Sequence, residues 1–177
     1  MEIRAERPED HAAVLAVNRR AFGADHGKLV ATLVDALRAA DPAATSLVAV
    51  AGGEVVGHVM FTRSLLDAPP RLVDVQVLSP LAVAPERQRQ GIGSALVREG
   101  VRRIAEQRVP LVFLEGDPRY YARFGFEPGG RHGFRKPSLR IPDAAFQVKL
   151  LPAYESWMTG TLVYAAPFWE HDAVGLR

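Results

Sequence analysis

The 177 residues contain no cysteine, which excludes disulfides, a thiolate nucleophile and a cysteine-ligated zinc site. No apolar run reaches the roughly eighteen residues that a membrane span needs. No basic-then-apolar leader opens the chain, so a cytoplasmic protein without a signal peptide is expected. His11, His26, His58, His132 and His171 lack ligand spacing, and no metal site is read from them. Two nucleotide motifs are also missing. There is no Gly-x-x-x-x-Gly-Lys-Ser/Thr, and Leu96 stands where Gly-x-Gly-x-x-Gly needs its third glycine. No repeat, low-complexity tract or linker divides the chain.

What is present suits one globular domain over residues 1–177, with 48% hydrophobic and 24% charged residues. The net charge of +2 is small but uneven. Arg119, Arg123, Arg131, Arg135, Lys136 and Arg140 face only Glu127 in the stretch they span. That stretch reads as a solvated loop first, a site for a phosphate or acidic substrate second, and a nucleic-acid surface third, because no repeated basic and aromatic pattern runs through it.

Glu2 to Glu6 alternates as an opening strand, and Pro8-Glu9-Asp10 suits a first helical turn leading to about Arg20. A second helix is expected over Lys28 to Ala39, stopped by Asp41-Pro42. Thr45 to Ala51 and Glu54 to Ser64 form a hairpin around Gly52-Gly53. Leu72 to Val83 is a long strand that must bulge or lose a partner near Pro80, which has no N–H to donate. Leu111 to Glu115 is a buried strand, Gly129 to Pro142 a long loop, and Phe146 to Leu151 and Thr161 to Tyr164 are closing strands, so that closing strands and tail follow about residue 145.

Between the long strand and the next lies Gln88-Arg89-Gln90-Gly91-Ile92-Gly93-Ser94, which runs into a helix. Ile92, Leu96, Val97, Val101, Ile104 and Ala105 line one face of that helix, and Arg98, Glu99, Arg102, Arg103 and Glu106 the other. Successive backbone N–H groups from Gln88 to Ser94 can converge on one point, with the positive end of the helix dipole behind them. Gly91 and Gly93 let an anion approach the backbone. The loop therefore reads as a diphosphate cradle. Strand, crossover helix and strand imply a parallel pair with a right-handed connection. A disruption at Pro80 would splay that pair into a crevice.

Gln88-x-x-Gly91-x-Gly93, preceded by Leu81-Ala82-Val83, resembles the acyl-CoA motif of the GCN5-related N-acetyltransferase (GNAT) superfamily, and Tyr120-Tyr121-Ala122-Arg123-Phe124-Gly125-Phe126 resembles its tyrosine and Gly-Phe signature. The likeness runs from Met1 to about Leu150 and is greatest to the YhbS-like bacterial branch. It implies an α/β (α+β) fold with a mixed, mostly antiparallel twisted sheet, one splayed parallel pair and flanking helices. It also implies acetyl-CoA as acyl-donor cosubstrate and transfer of acetyl to a primary amine of a small molecule or peptide by direct attack.

In that resemblance the backbone of Leu81, Ala82 and Val83 meets the pantetheine amides, the segment from Gln88 through Arg89, Gln90, Gly91, Ile92 and Gly93 to Ser94 holds the diphosphate, and Arg123 reaches a CoA phosphate. Tyr121 is the candidate general acid and Tyr120 is expected to point elsewhere. The base stays open among Glu115, Asp117, Asp74, Gln76 and His58, because Val77 and Ser79 stand where some relatives carry histidines. Two other classes stay open: a catalytically silent acyl-CoA-binding regulator, and a basic nucleic-acid-binding domain. No membrane partner is expected. A homodimer through the closing strands or the tail around Phe168 and Trp169 is left open, and the loops Phe22 to Lys28, Leu65 to Arg71 and Gly129 to Pro142 are expected to shape the acceptor pocket.

Overall fold

Nine strands and five α-helices follow one another along the chain in the computed structural model, which describes residues 1–175. In order they are β1 (Glu2–Ala5), α1 (His11–Phe22), α2 (Ala24–Ala40), β2 (Thr45–Ala51), β3 (Glu54–Asp67), β4 (Leu72–Val83), α3 (Ile92–Glu106), β5 (Leu111–Glu115), α4 (Pro118–Tyr121), β6 (Glu127–Pro128), β7 (Phe134–Arg135), β8 (Phe146–Leu150), β9 (Gly160–Val163) and α5 (Ala166–Glu170). Two units divide them. One holds Met1–Thr62 and Ser79–Arg102, the other Arg63–Leu78 and the described chain from Arg103 onward.

In the first unit β1 pairs antiparallel with β2 from Glu2↔Val50 to Ala5↔Leu47. β2 pairs antiparallel with β3 from Thr45↔Phe61 to Ala51↔Glu54. The expected hairpin is there because Gly52 and Gly53 both take left-handed φ, 61° and 82°, which matches the twist of the two strands. Val14, Val17, Val30, Leu33, Val34 and Leu37 bury the apolar stripes of α1 and α2.

The two helices differ from expectation. α1 continues to Phe22 and α2 starts at Ala24, so Phe22 to Lys28 is helical apart from Gly23 rather than a pocket-shaping loop. Gly23 turns the chain at φ 73°, and its carbonyl accepts Gly27 N at 2.5 Å. Gly27 then lets α2 lie against the Arg19 carbonyl, which a Cβ would overlap.

α3 buries Ile92, Leu96 and Val97 and exposes Arg98, as its period requires. Two glycines set its approach. A Cβ on Gly57 of β3 would lie 3.0 Å from Ile92 and from Leu96, and one on Gly100 would overlap the Phe61 ring. The first turn of α3 is thereby drawn close to β3.

The second unit orders its strands β7, β9, β3, β4, β5, β8 and β6. β4 and β5 are parallel through Gln76↔Val112 and Val77↔Phe113, and those two pairs make up the ladder. β5 pairs antiparallel with β8 from Leu111↔Leu150 to Glu115↔Phe146, and β9 with β3 from Leu65↔Val163 to Asp67↔Thr161. Leu111 to Leu114 are all buried, as suits a strand covered on both faces. Phe113 stacks on Phe146 at 5.7 Å and meets Phe134 edge-on at 5.1 Å.

The mixed, mostly antiparallel pattern with β4 and β5 parallel is the one expected. The loss of a partner near Pro80 also holds: β4 runs on to Val83, while its ladder with β5 stops at Val77. Gly129 to Pro142 is not one long loop. It opens with a 3-10 turn over Gly129–His132 and includes β7, which adds a second, two-residue parallel ladder to β9. Gly160 (φ 127°) lets β9 lie against the end of β3, because a Cβ there would overlap the Asp67 carbonyl.

Candidate functional site

The loop that enters α3 leaves β4 through a 3-10 turn over Pro85–Arg87. Ala84 N donates to Val56 O at 2.9 Å and Arg87 N to Ala84 O at 2.8 Å, fixing the start of the turn. Two glutamine side chains close it: Gln88 Nε2 donates to Val83 O and Gln90 Nε2 to Glu86 O, each at 3.2 Å. Glu86 is tied to Arg20 of α1 at 2.6 Å. Leu81 and Val83 are half-buried and Ala82 is buried, so the strand alternates as it reaches the turn.

The amides sort cleanly. Gln88 N donates to Pro85 O at 3.3 Å and so also closes the turn. The first helical bond of α3 is Ala95 N to Gly91 O at 3.0 Å. Among the described residues, the amides of Arg89, Gln90, Gly91, Ile92, Gly93 and Ser94 have no backbone acceptor. Arg89 and Gly91 take left-handed φ of 60° and 84°, the kind of alternation that turns successive N–H groups to one side. Open space lies where a Gly91 Cβ would project. These are the free donors of a helix start, gathered in a loop that is largely exposed at Arg89 to Gly91.

The tyrosine motif belongs to the second unit. Asp117 caps α4 by accepting Arg119 N at 2.9 Å. A 3-10 turn over Ala122–Phe124 follows and ends at Gly125, left-handed at φ 81°. Lys149 Nζ binds Phe124 O at 2.6 Å and closes the turn.

Tyr121 is half-buried, its ring edge-on to Tyr120 at 4.9 Å and to Phe126 at 5.8 Å. It lies so close to the backbone of Gly116 that a Cβ there would overlap it. Burial, then Tyr120, push the Tyr121 phenol above its ordinary pKa, so it keeps its proton throughout the neutral range. Tyr120 does not point elsewhere, as its place on a helix suggests; the two rings touch. Arg123 folds back over Tyr120, 4.1 Å from the ring centroid, with Nε donating to Tyr120 O at 3.0 Å.

Much of the basic stretch is neutralised in place. Arg119 pairs with Asp117, Lys136 with Asp143 at 2.6 Å and Arg140 with Asp172 at 2.7 Å. Phe168 is a core residue, which leaves Trp169, 41% exposed, as the accessible ring of the tail.

The candidate bases separate as well. Asp74 pairs with Arg63 at 2.6 Å. The bonds from Arg119 hold Asp117 below the usual carboxylate range. Gln76 is half-buried with Oε1 unpartnered. His58 is fully buried: Nδ1 faces Asn18 Nδ2 at 3.0 Å and Nε2 faces Ser46 Oγ at 3.0 Å. Burial, aided by Arg38, pushes the His58 imidazole down to about 3, so it is neutral at pH 7. Glu115 ends β5 and bonds Tyr164 and the Gly175 amide. Sequence reasoning places Tyr164 only in a closing strand. No local pattern reveals its partner, because it meets Glu115 from 49 positions away.

A family model described as an acetyltransferase (GNAT) domain matches residues 2–129. The chain is 36% identical over 163 residues to the uncharacterized N-acetyltransferase YjhQ of Escherichia coli (strain K12), covering 89% of this chain and 88% of that protein. It is 35% identical over 172 residues to the uncharacterized N-acetyltransferase YhbS of the same strain, covering 95% and 98%. Among solved structures, YhbS from Escherichia coli in complex with CoA superposes with a TM-score of 0.83 at 33% identity, covering 94% of this chain and 91% of that one. A GNAT family acetyltransferase from Brucella melitensis in complex with acetyl-CoA gives 0.75 at 34% identity, covering 94% and 97%. No helix among the described residues is long and apolar enough to cross a membrane.

Proposed function

We propose, since this chain belongs to the GNAT family of N-acetyltransferases, that it moves the acetyl group of acetyl-CoA to a primary amine of a small molecule or peptide by direct attack. The observation that carries the donor assignment is the run of six acceptor-free amides from Arg89 to Ser94 at the start of α3. They suit a diphosphate: each phosphate oxygen takes an N–H, the helix dipole adds to the attraction, and Gly91 leaves room for the approach. The CoA and acetyl-CoA held by the Escherichia coli and Brucella melitensis proteins support the same donor.

Acetyl-CoA supplies a thioester already activated for attack by nitrogen, so no covalent bond to the protein is needed. The residues then have three tasks: to hold the donor, to present the amine, and to manage protons. The loop amides do the first, with the backbone of Leu81 to Val83 as the wall for the pantetheine. Tyr121 serves as general acid, passing its Oη proton to the departing sulfur and regaining one from water. Its retained proton at neutral pH suits that role. Arg123, stacked on Tyr120, serves a CoA phosphate by swinging off the ring.

Calorimetry with acetyl-CoA on the wild type and on Gly91→Glu tests the cradle, because the added carboxylate stands where the diphosphate would bind. Strong binding by the wild type and at least tenfold weaker binding by the variant is expected; equal binding refutes the donor site. A screen across amine classes, read by CoA release, then identifies the acceptor. Binding without release on any amine would instead make the chain a silent acyl-CoA sensor.

A further inference from the structure

The acetyltransferase reading leaves one chemical need unmet, and the inference here rests on that reading. A primary amine arrives largely as an ammonium ion at neutral pH and must lose a proton before its lone pair can attack. Asp74 and Asp117 are held in ion pairs, and His58 is sealed with both ring nitrogens occupied.

Glu115 is different. It is the last residue of β5, half-buried, and its bonds come from neutral donors: Tyr164 Oη at 2.8 Å to Oε1, and Gly175 N at 3.1 Å to Oε2 and 3.4 Å to Oε1. Those three contacts leave lone pairs unused on the carboxylate. Arg140 acts on it only through space, being bonded itself to Asp172 at 2.7 Å.

The surroundings hold this carboxylate still. Gly116 N donates to Ala145 O at 3.0 Å and Gln147 Nε2 donates to Gly116 O at 3.0 Å, so the end of β5 is pinned on both sides of the peptide. Tyr164 is itself packed against Phe168 at 4.9 Å and Trp169 at 6.2 Å. Gly116, the next residue in the chain, is the one whose missing Cβ admits the ring of Tyr121, the proposed acid.

We propose that Glu115 is the catalytic base that takes the ammonium proton from the acceptor, and that Tyr164 is the positioning residue that holds its carboxylate. The N–H bond of the ammonium breaks, an O–H bond forms on Glu115, and Glu115 returns that proton to water after turnover. The nitrogen loses a second proton as the amide forms; through water, this one balances the proton that Tyr121 gives to sulfur. Burial raises the Glu115 pKa, while Tyr164, the Gly175 amide and Arg140 pull it back. A carboxylate so placed is a stronger base than one in open water.

The test is the pH profile of kcat/KM from pH 5 to 9, using the best acceptor among tyramine, spermidine and L-lysine amide. Glu115→Gln is expected to lower the rate about a hundredfold near neutrality and to lose the acid limb, its rate climbing with pH as free amine accumulates. Acetyl-CoA affinity by calorimetry stays within about twofold. Tyr164→Phe keeps the ring but removes a donor to the carboxylate, so its acid limb moves to higher pH by about half to one unit. A purely structural Glu115 would leave that limb in place. If Glu115→Gln fails to fold, Tyr164→Phe decides alone. Wild-type limbs in the folded variants overturn the base and leave the acetyltransferase reading intact. A wild type that binds acetyl-CoA yet acetylates no amine, in these three or in the screen across amine classes, overturns that reading, and the base with it.

Discussion

Acid should destabilise this protein through one buried imidazole well before its paired carboxylates protonate. Asn18 Nδ2 donates to Val14 O at 2.9 Å and faces His58 Nδ1, so that nitrogen is the acceptor. His58 Nε2–H then donates to Ser46 Oγ, Ser46 donates to Glu6 Oε2, and Glu6 Oε1 takes Arg38 Nη2 at 2.5 Å. From Asn18 to Glu6 the donors point one way, and Arg38 donates into Glu6 from the other end. A proton added at Nδ1 would confront the Asn18 amide hydrogens in a site without water access.

The folded pKa is pushed down from 6.5 to about 3, so unfolded chains bind this proton more readily than folded ones. The contribution of neutral His58 is therefore complete above pH 6.5 and is lost as pH falls from 6.5 toward 3. Each pH unit crossed in that window removes about 1.4 kcal/mol, so about 2 kcal/mol should be gone at pH 5, with a ceiling of about 5 kcal/mol. Asp10, held at about 2 chiefly by its bond to Arg4, weakens the fold only below its ordinary 3.8, well under the pH range of the measurement.

Urea unfolding at pH 7.5, 6.5, 5.5 and 5.0, followed by circular dichroism, measures the slope. The wild type should lose stability at up to about 1.4 kcal/mol per pH unit below pH 6. His58→Gln starts less stable but should show a much flatter dependence over the same range. Parallel curves for the two proteins refute the assignment of the acid sensitivity to His58.

Other outcomes are open to measurement. Tyr121→Phe should slow the chemical step about a hundredfold in single-turnover assays while acetyl-CoA affinity stays within severalfold; unchanged chemistry removes Tyr121 as the acid. Gly91→Ala should cost about 1 kcal/mol in urea unfolding, because its φ of 84° is left-handed although the space above it is open. Gly100→Ala should cost more, about 2 kcal/mol, since its Cβ meets the Phe61 ring and α3 must shift. The same variant should weaken acetyl-CoA binding if α3 carries the cradle.

The features legible from residue order were those governed by near neighbours. Gly52-Gly53 marks a hairpin because two left-handed residues suit only that turn. The apolar spacing from Ile92 to Ile104 marks a helix, and the glycines before it mark an anion loop. Pro80 announced that β4 would bulge or lose a partner, since a missing N–H needs no tertiary context to be missing; which of the two was left to the fold. Less visible were the boundaries of α1 and α2. Whether Phe22 to Lys28 is loop or helix depended on Gly27 meeting the Arg19 carbonyl across a helix pair.

Within the candidate site the division is similar. Gly91 and Gly93 ahead of a helix pointed to an anion loop from sequence alone, because helix starts are built from consecutive residues, and the resemblance to the GNAT superfamily added the CoA-type donor and Tyr121. Which carboxylate stays available was decided only by folding. Asp117, Asp74 and Glu115 look alike as letters; Arg119, Arg63 and Tyr164 distinguish them, and two of those three partners act through distant contacts. Likewise the bond from Gln88 N to Pro85 O exists only once the 3-10 turn at Pro85 has formed. Local chemistry is written in neighbouring residues, whereas burial and long-range hydrogen bonds exist only once the chain has brought remote segments together.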